Sequence, residues 1–122
     1  MSAILVIDDD ASVREVVSEM LRLEGHEVTI AENGREATTM LAEHDFDLVI
    51  TDLIMPDKEG LELIREMKAI APDAKIIAMS GGGFGKAQTY LKLAEKFGAV
   101  RTFIKPIDSQ DILSMVKDIL GR

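Results

Sequence analysis

The amino-acid sequence predicts an α/β protein with a doubly wound, parallel β-sheet. Short apolar runs alternate with segments of helical periodicity five times along the chain, which is the order that builds parallel strands joined by crossover helices. Four of these runs are almost entirely apolar, as in strands that helices cover on both faces. Because such crossovers are right-handed, we expect helices on both sides of the sheet.

The predicted strands are runs of β-branched and other apolar residues. In chain order they span residues 4–7, 26–31, 48–51, 76–79 and 102–104. Four of them are followed at once by a polar residue suited to phosphate or metal chemistry, in order Asp8, Asp52, Ser80 and Lys105. The carboxyl ends of parallel strands meet at one edge of a sheet, where open α/β folds bind ligands. We therefore expect these four side chains to converge on one pocket.

The first two helices are predicted from capping residues and apolar spacing. Ser12 and Glu15 resemble a capping box at the start of the first helix, and Gly25 can end it. The expected buried stripe of this helix is Val13, Val16, Val17, Met20 and Leu21. The pair Asn33-Gly34 predicts a turn, and the apolar residues of the short second helix after it are Ala37, Met40 and Leu41.

The last three helices are predicted from apolar residues that lie three or four positions apart. The third lies between Gly60 and Pro72, the fourth is ended by Gly98, and Asp108 caps the fifth. Their apolar stripes are, in order, Leu61, Ile64, Met67 and Ala71; Tyr90, Leu91, Ala94 and Phe97; and Ile112, Leu113, Val116 and Ile119. Five helices therefore alternate with five strands.

Composition limits both the domain organisation and the class of partner. The 122 residues fit a single domain, and we expect residues 1–122 to form it with no output domain. The chain has no cysteine and no apolar run long enough for a signal peptide or a bilayer span, so a cytoplasmic location is expected. The net charge of -8 opposes direct contact with nucleic acid or an anionic membrane, because phosphate binding needs clustered Lys and Arg.

The acidic run Asp8-Asp9-Asp10 has two interpretations. Consecutive acids after a strand often cap the next helix, and Asp10 fits that role. Neighbouring carboxylates also repel one another at the end of a central strand unless a cation neutralises them, which favours a divalent metal site. Asp52 supports the metal site, because a carboxylate after the third strand should lie at the same edge of the sheet. The alternative for Asp52 is a helix or turn cap.

Lys105-Pro106 and the glycines after Ser80 suggest contacts with an anion. A lysine directly after an apolar strand is expected to face an anion, although a surface lysine with a buried stem is the alternative. Pro106 also permits a cis peptide bond. The run from Gly81 to Lys86 can present backbone N–H groups to phosphate, but it lacks two positions of the P-loop motif, so a glycine loop with unusual backbone angles is simpler. Ser80 itself is a candidate donor to a phosphoryl oxygen.

Together these motifs resemble the receiver domain of two-component response regulators, including the chemotaxis regulators, over essentially the whole chain. The family has an acidic pair after its first strand, a phosphoacceptor aspartate in a D-x-x-M-P motif, a Ser or Thr after its fourth strand and a K-P pair after its fifth. The matching positions are, in that order, Asp8-Asp9, residues 52–56 with Gly60 following, Ser80, and Lys105-Pro106. The resemblance implies a flavodoxin-like sheet with strand order 2-1-3-4-5.

The resemblance also implies a role for each matching residue. Asp52 would be the phosphoacceptor, and Lys105 and Ser80 would donate to the phosphoryl oxygens. The ligands implied for Mg²⁺ are Asp9, Asp52 and the backbone carbonyl of Ile54, with Asp8 acting mainly through bound water. Such a domain would catalyse only its own phosphorylation and dephosphorylation, and it would not be an enzyme with a separate substrate.

The implied pathway is signal transduction by a phosphorelay. The phosphoryl donor would be a sensor histidine kinase or a phosphotransfer protein, and the resulting aspartyl phosphate would change the face that a downstream protein reads. A phosphorylation-dependent homodimer is a further expected partner. The family has an aromatic switch residue three positions before the lysine, where this chain has Thr102. Phe103 is not expected to replace it, because a shift of one residue reverses the face of a strand.

Two functions of other classes are compatible with parts of the sequence. Asp8-x-Asp10 after a strand also resembles the opening of phosphohydrolases with an aspartate nucleophile, in which Asp8 would attack and Asp10 would act as acid and base. The chain is short for that class and shows no late acidic pair to complete its metal site. The other alternative is an interaction module that is not phosphorylated, with Thr102 marking the loss of switching.

Overall fold

The computed structural model describes residues 2–55, 58–81, 87–105 and 108–121 of the chain. Within them the helices are α1 (Ala11–Leu23), α2 (Gly34–Glu43), α3 (Gly60–Ile70), α4 (Ala87–Phe97) and α5 (Ser109–Leu120). The strands are β1 (Ala3–Ile7), β2 (Glu27–Ala31), β3 (Leu48–Asp52), β4 (Ile54–Met55), β5 (Lys58–Glu59), β6 (Lys75–Gly81) and β7 (Arg101–Lys105).

Five of the strands form one parallel sheet in the order β2-β1-β3-β6-β7. When only the strands of this sheet are counted, the order is 2-1-3-4-5, which confirms the predicted fold. The direction of winding reverses between β1 and β3, and open α/β sheets bind their ligands beside the carboxyl ends of the strands at such a reversal. The fold therefore places the end of β1 and the end of β3 at the position where a site is expected.

Helices cover both faces of this sheet, as predicted. One face packs against α1 and α5, and its core includes Ile4, Val6, Val17, Leu21, Leu48, Ile50, Ile77, Met79, Ile112 and Val116. The other face packs against α2, α3 and α4, and its core includes Leu5, Ile7, Ala37, Leu41, Val49, Leu61, Ile64, Met67, Ile76, Ala78, Leu91 and Ala94. The central strands are thus buried on both sides. Polar side chains are accommodated where these strands leave the core.

The start of α1 and its buried side differ from the prediction. Asp10 is the N-cap, with its carboxylate accepting a hydrogen bond from the N–H of Ser12, so the predicted capping box of Ser12 and Glu15 is wrong. A carboxylate caps a helix as well as a hydroxyl does, and Asp10 comes first in the chain. Val16 was predicted to be buried but is 61% exposed, because the inward side of α1 is narrower than its apolar stripe.

The other helix ends lie close to their predicted positions. Asp108 caps α5 as predicted, accepting from the N–H of Gln110. Asn33 is the N-cap of α2 rather than a turn residue, and it accepts from the N–H of Glu36.

Among the described residues, no helix combines the length and apolar character needed to cross a membrane.

An antiparallel ribbon of β4 and β5, absent from the prediction, follows β3 directly. It returns the chain to Gly60, whose N–H donates to the carbonyl of Leu53 at 3.0 Å. A Cβ atom at position 60 would lie only 2.3 Å from that carbonyl oxygen. Glycine at position 60 therefore allows the ribbon to close immediately after Asp52.

Candidate functional site

The carboxyl edge of the sheet brings four of the predicted site residues together. Asp8 and Asp9 follow β1, Asp52 is the last residue of β3, and Lys105 is the last residue of β7. The parallel register carries these strand ends to the same side of the sheet. Both Asp52 and Lys105 lie inside strands, one residue further than the predicted strand ends.

Three carboxylates form the acidic part of the site. Asp8 is fully buried and Asp52 is 5% exposed, whereas Asp9 is exposed. One oxygen from each carboxylate lies within 4.8 Å of the others. Carboxylates this close repel one another, and hard oxygen donors are the preferred ligands of magnesium and calcium ions. The donor set therefore fits a divalent cation.

Lys105 provides the positive charge of the site. Its Nζ donates to Oδ2 of Asp8 at 2.6 Å and to Oδ2 of Asp52 at 3.2 Å. Burial by itself lowers the pKa of Lys105, but the hydrogen bond to Asp8 and the charges of Asp52 and Asp8 outweigh it, so the pKa is raised above its usual value. The lysine is therefore held as an ammonium group at neutral pH, directed at the acids rather than at solvent.

Ser80 is the fourth strand-end residue that the sequence singled out. It is fully buried in β6, and its hydroxyl donates to the carbonyl of Gly81 at 3.4 Å. In the register of β3 and β6, Asp52 pairs with Met79, so Ser80 lies one position beyond that pair. Ile54 begins β4, two residues after Asp52. Pro106, where a cis peptide bond was considered, and the glycine run at 82–86 lie outside the described residues.

Thr102, the position where the resemblance implies a switch residue, lies on the opposite face of β7 from Phe103. Thr102 is half-buried and pairs with Ala78, which belongs to the core beneath α3 and α4. Phe103 pairs with Met79 and packs against the core beneath α1 and α5. The side chain of Phe103 is therefore directed away from the face that Thr102 occupies, as the period of a strand predicts.

Asp10 has a structural role in this arrangement. Its carboxylate is exposed and caps α1, and its N–H donates to Oδ1 of Asp8 at 2.9 Å. Within the described part of the chain, the group of acids that could share a metal ion consists of Asp8, Asp9 and Asp52. These contacts favour the capping interpretation of Asp10 over the acid and base role that the phosphohydrolase alternative requires.

Arg14 is a site residue that the sequence analysis missed. It lies in the first turns of α1, and its Nη1 donates to the backbone carbonyl of Asp8 at 2.7 Å. Its Nη2 lies 3.8 Å from Oε1 of the exposed Glu32, which follows β2. The signal available in the sequence was that Arg14 lies in the predicted first helix, soon after the acidic run. Helical periodicity alone does not show that such a side chain turns back toward a strand end.

Comparisons with known proteins agree with this geometry. A family model described as "Response regulator receiver domain" matches residues 4–117. The chain is 40% identical over 120 residues to the DNA-binding transcriptional regulator NtrC of Azospirillum brasilense, covering 98% of this chain and 24% of that protein. It is 33% identical over 117 residues to the chemotaxis protein CheY of Halobacterium salinarum, covering 96% of this chain and 95% of that protein.

A solved structure shows the same fold. The response regulator protein TrrA of Thermotoga maritima, solved in complex with Mg(2+)-BeF, matches with a TM-score of 0.84 and 34% identity. The match covers 98% of this chain and 99% of that one. By contrast, the chain spans about a quarter of the length of the NtrC relatives that it matches.

Proposed function

The chain belongs to the response regulator receiver domain family, and we propose that it receives a phosphoryl group on Asp52 in two-component signalling. The observation that carries the proposal is the convergence of the buried Asp52 carboxylate with two further carboxylates and with the ammonium of Lys105. Phosphoryl transfer has a loose transition state, so it needs positioned charges rather than a strong base. This group of side chains is suited to that requirement.

In the proposed reaction, a carboxylate oxygen of Asp52 forms a bond to phosphorus as the P–N bond of a phosphohistidine breaks. The leaving imidazole keeps the bonding electron pair and takes up a proton. We assign the metal of this site as Mg²⁺, held by Asp9, Asp52 and the backbone carbonyl of Ile54, with Asp8 acting through water. When bound, Mg²⁺ offsets negative charge on the phosphoryl oxygens.

Two further residues contact the oxygens of the phosphoryl group in this proposal. Lys105 already contacts Asp52 at 3.2 Å, so its ammonium is within reach of an oxygen on a phosphoryl group attached there. The buried hydroxyl of Ser80 turns from the carbonyl of Gly81, its acceptor at 3.4 Å, to a phosphoryl oxygen. Hydrolysis of the aspartyl phosphate then restores the carboxylate and releases inorganic phosphate. The domain thus acts only on its own phosphorylation and has no separate substrate.

The proposed partners follow from this chemistry. The phosphoryl donor is a sensor histidine kinase or a phosphotransfer protein, and the output is a downstream protein that reads the surface of α4, β7 and α5. Strand β7 lies at an edge of the sheet, and its Ile104 is 41% exposed, so this surface offers apolar area to a partner or to a second phosphorylated copy. Direct binding to nucleic acid is disfavoured by the net charge of -8.

Incubation with a small phosphodonor and Mg²⁺, followed by intact mass measurement, tests the proposal. We expect one phosphoryl adduct that is labile to base, and we expect Asp52→Asn to abolish it. Asp47→Asn is the matched control, because Asp47 precedes the same strand at its amino end, where its carboxylate accepts from the N–H of Ala3 at 2.8 Å. That variant should be phosphorylated like the wild type.

Each alternative function predicts a different result in the same experiment. Turnover of phosphodonor that survives Asp52→Asn but is lost in Asp8→Asn would indicate a phosphohydrolase with Asp8 as nucleophile. A folded wild-type protein with neither adduct nor turnover would indicate an interaction module that is not phosphorylated. Either result would overturn the assignment of Asp52.

A further inference from the structure

Arg14 contacts the acidic site through the backbone rather than through a carboxylate. Its guanidinium donates from Nη1 to the carbonyl oxygen of Asp8 at 2.7 Å, six positions earlier in the chain. A charged donor at this distance makes one of the stronger hydrogen bonds found in proteins. The bond links the first turns of α1 to the peptide unit between Asp8 and Asp9.

We propose that Arg14 is a positioning residue for the metal site: by holding the carbonyl of Asp8, it fixes the peptide that joins Asp8 to Asp9 and so directs both carboxylates toward the cation. This inference rests on the proposed function, in which these acids hold Mg²⁺. Because a peptide unit is planar, fixing its carbonyl oxygen also fixes the direction in which the chain enters Asp9.

The two acids differ in how their side chains are held. The carboxylate of Asp8 accepts from the N–H of Asp10 at 2.9 Å and from Nζ of Lys105 at 2.6 Å. In the part of the chain that the structure describes, the exposed carboxylate of Asp9 has no such hydrogen bond or ion pair. The direction of Asp9 therefore depends on its backbone, and Arg14 holds the preceding peptide.

The guanidinium of Arg14 is largely buried beside the carbonyl of Asp8. Its side chain is 12% exposed, and its Nε is buried without a hydrogen-bond acceptor among the described residues. Its second terminal nitrogen reaches only an exposed carboxylate, that of Glu32, at 3.8 Å. Because the side chain is largely buried, the guanidinium stays beside the carbonyl of Asp8, as a positioning contact requires.

The sign of the effect on metal affinity separates positioning from simple electrostatics. A positive guanidinium near the site repels a divalent cation, so removing only its charge should strengthen Mg²⁺ binding. Removing a group that orients the ligands should weaken binding instead. Outer groups that orient metal ligands typically change metal affinity by about tenfold or more when they are replaced.

Calorimetric titration of the folded protein with Mg²⁺ alone tests this inference. We expect Arg14→Ala to raise the Kd by about tenfold, and Arg14→Lys, which can still donate to the carbonyl, to raise it less. Arg22→Ala is the matched control, because Arg22 lies in the last turn of α1 and its Nη2 donates to the carbonyl of Val28 at 3.0 Å, away from the acids. The Kd of that variant should stay within about twofold of the wild type.

Amide exchange without added metal gives an independent measurement. Arg14→Ala should speed the exchange of the Asp10 N–H, because this group bonds to Oδ1 of Asp8, while Arg22→Ala should leave it unchanged. An Mg²⁺ affinity that is unchanged or stronger in folded Arg14→Ala would overturn the inference, and Arg14→Met, which keeps a long side chain but cannot donate to the carbonyl of Asp8, carries the same test should the alanine variant not fold. Failure of the wild-type protein to bind Mg²⁺ would overturn the proposed metal site as well. An Mg²⁺ affinity of Asp9→Asn equal to that of the wild type would have the same consequence.

Discussion

Nζ of Lys105 lies 2.6 Å from Oδ2 of Asp8, although 97 positions separate the two residues in the chain. Their strands, β7 and β1, are not neighbours, because β3 and β6 lie between them in the sheet. The long lysine side chain therefore reaches over the ends of the intervening strands. One ammonium group thereby offsets the charge of two buried acids, since it also contacts Asp52 at 3.2 Å.

Replacing Lys105 with methionine should destabilise the protein. Asp8 and Asp52 would then be buried without the ammonium group of Lys105. Breaking a buried ion pair by removing one partner typically costs about 3 kcal/mol or more. Urea unfolding without added metal measures the change. Lys75→Met is the control, because Lys75 is an exposed lysine at the amino end of β6, and its effect should stay within about 0.5 kcal/mol. Equal effects for the two variants would contradict the assigned role of Lys105.

The stability that Lys105 contributes should depend on pH in the alkaline range. Its pKa is raised in the folded state by Asp8 and Asp52, against the effect of burial, so the folded protein holds this proton more tightly than the unfolded chain does. The contribution is fully present below the usual lysine pKa and is lost as the pH rises through the raised value. The difference in unfolding free energy between the wild type and Lys105→Met should therefore be constant near neutral pH and decrease above about pH 10. A difference that grows with alkaline pH would contradict the direction of the shift.

Gly60→Ala should disturb the chain immediately after the proposed phosphoacceptor. The added Cβ would lie 2.3 Å from the carbonyl oxygen of Leu53 and 2.4 Å from its Cα, so the backbone must move, and overpacking of this kind costs about 3 kcal/mol. Gly81→Ala is the control, because a Cβ there meets no atom within 4 Å. Thermal unfolding measures both variants, and Gly60→Ala should also slow phosphorylation by a small phosphodonor. If Gly60→Ala is as stable as the wild type, the close approach of Gly60 to Leu53 does not contribute to stability, and this prediction is wrong.

Most of the fold could be predicted because apolar periodicity directly reflects which strands and helices are buried. The sheet order was predicted from the family resemblance, and the convergence of Asp8, Asp52 and Lys105 followed from their positions at strand ends. The strand-end positions are properties of single residues within regular elements. They are visible in the sequence before any tertiary contact is known.

The features that were missed depend on contacts between elements. The pairing of β4 with β5 involves two residues in each strand and depends on the close approach of Gly60 to Leu53. Val16 has the correct spacing for the buried stripe, but the strands and the helix that pack against α1 decide how wide its covered side is. Arg14 similarly matched no motif, because its contact with the carbonyl of Asp8 depends on how α1 packs beside β1.

Asp9→Asn should separate the effect of the acids on folding from their effect on metal binding. Without added cation, the variant should be at least as stable as the wild type, because Asp9 adds repulsion to Asp8 and Asp52. With Mg²⁺ at 100 times its Kd, the wild type should gain about 2.7 kcal/mol, and the variant should gain much less. Asp10→Asn is the control, since asparagine caps a helix equally well and Asp10 lies outside the acid group. A full gain in Asp9→Asn would exclude Asp9 as a ligand.

Phe103 and Thr102 should affect different properties because they lie on opposite faces of β7. Phe103 packs partly buried against the core beneath α1 and α5, so Phe103→Ala should lower stability, by less than the roughly 3–5 kcal/mol of a fully buried phenylalanine. The milder Phe103→Leu should retain the response of α4 to Mg²⁺ with beryllofluoride, followed as amide chemical shifts. Thr102→Ala should change stability little but alter that response, since Thr102 pairs with Ala78 on the α4 side of the sheet. If the response is lost in Phe103→Leu and unchanged in Thr102→Ala, switching runs through the α1 and α5 face instead.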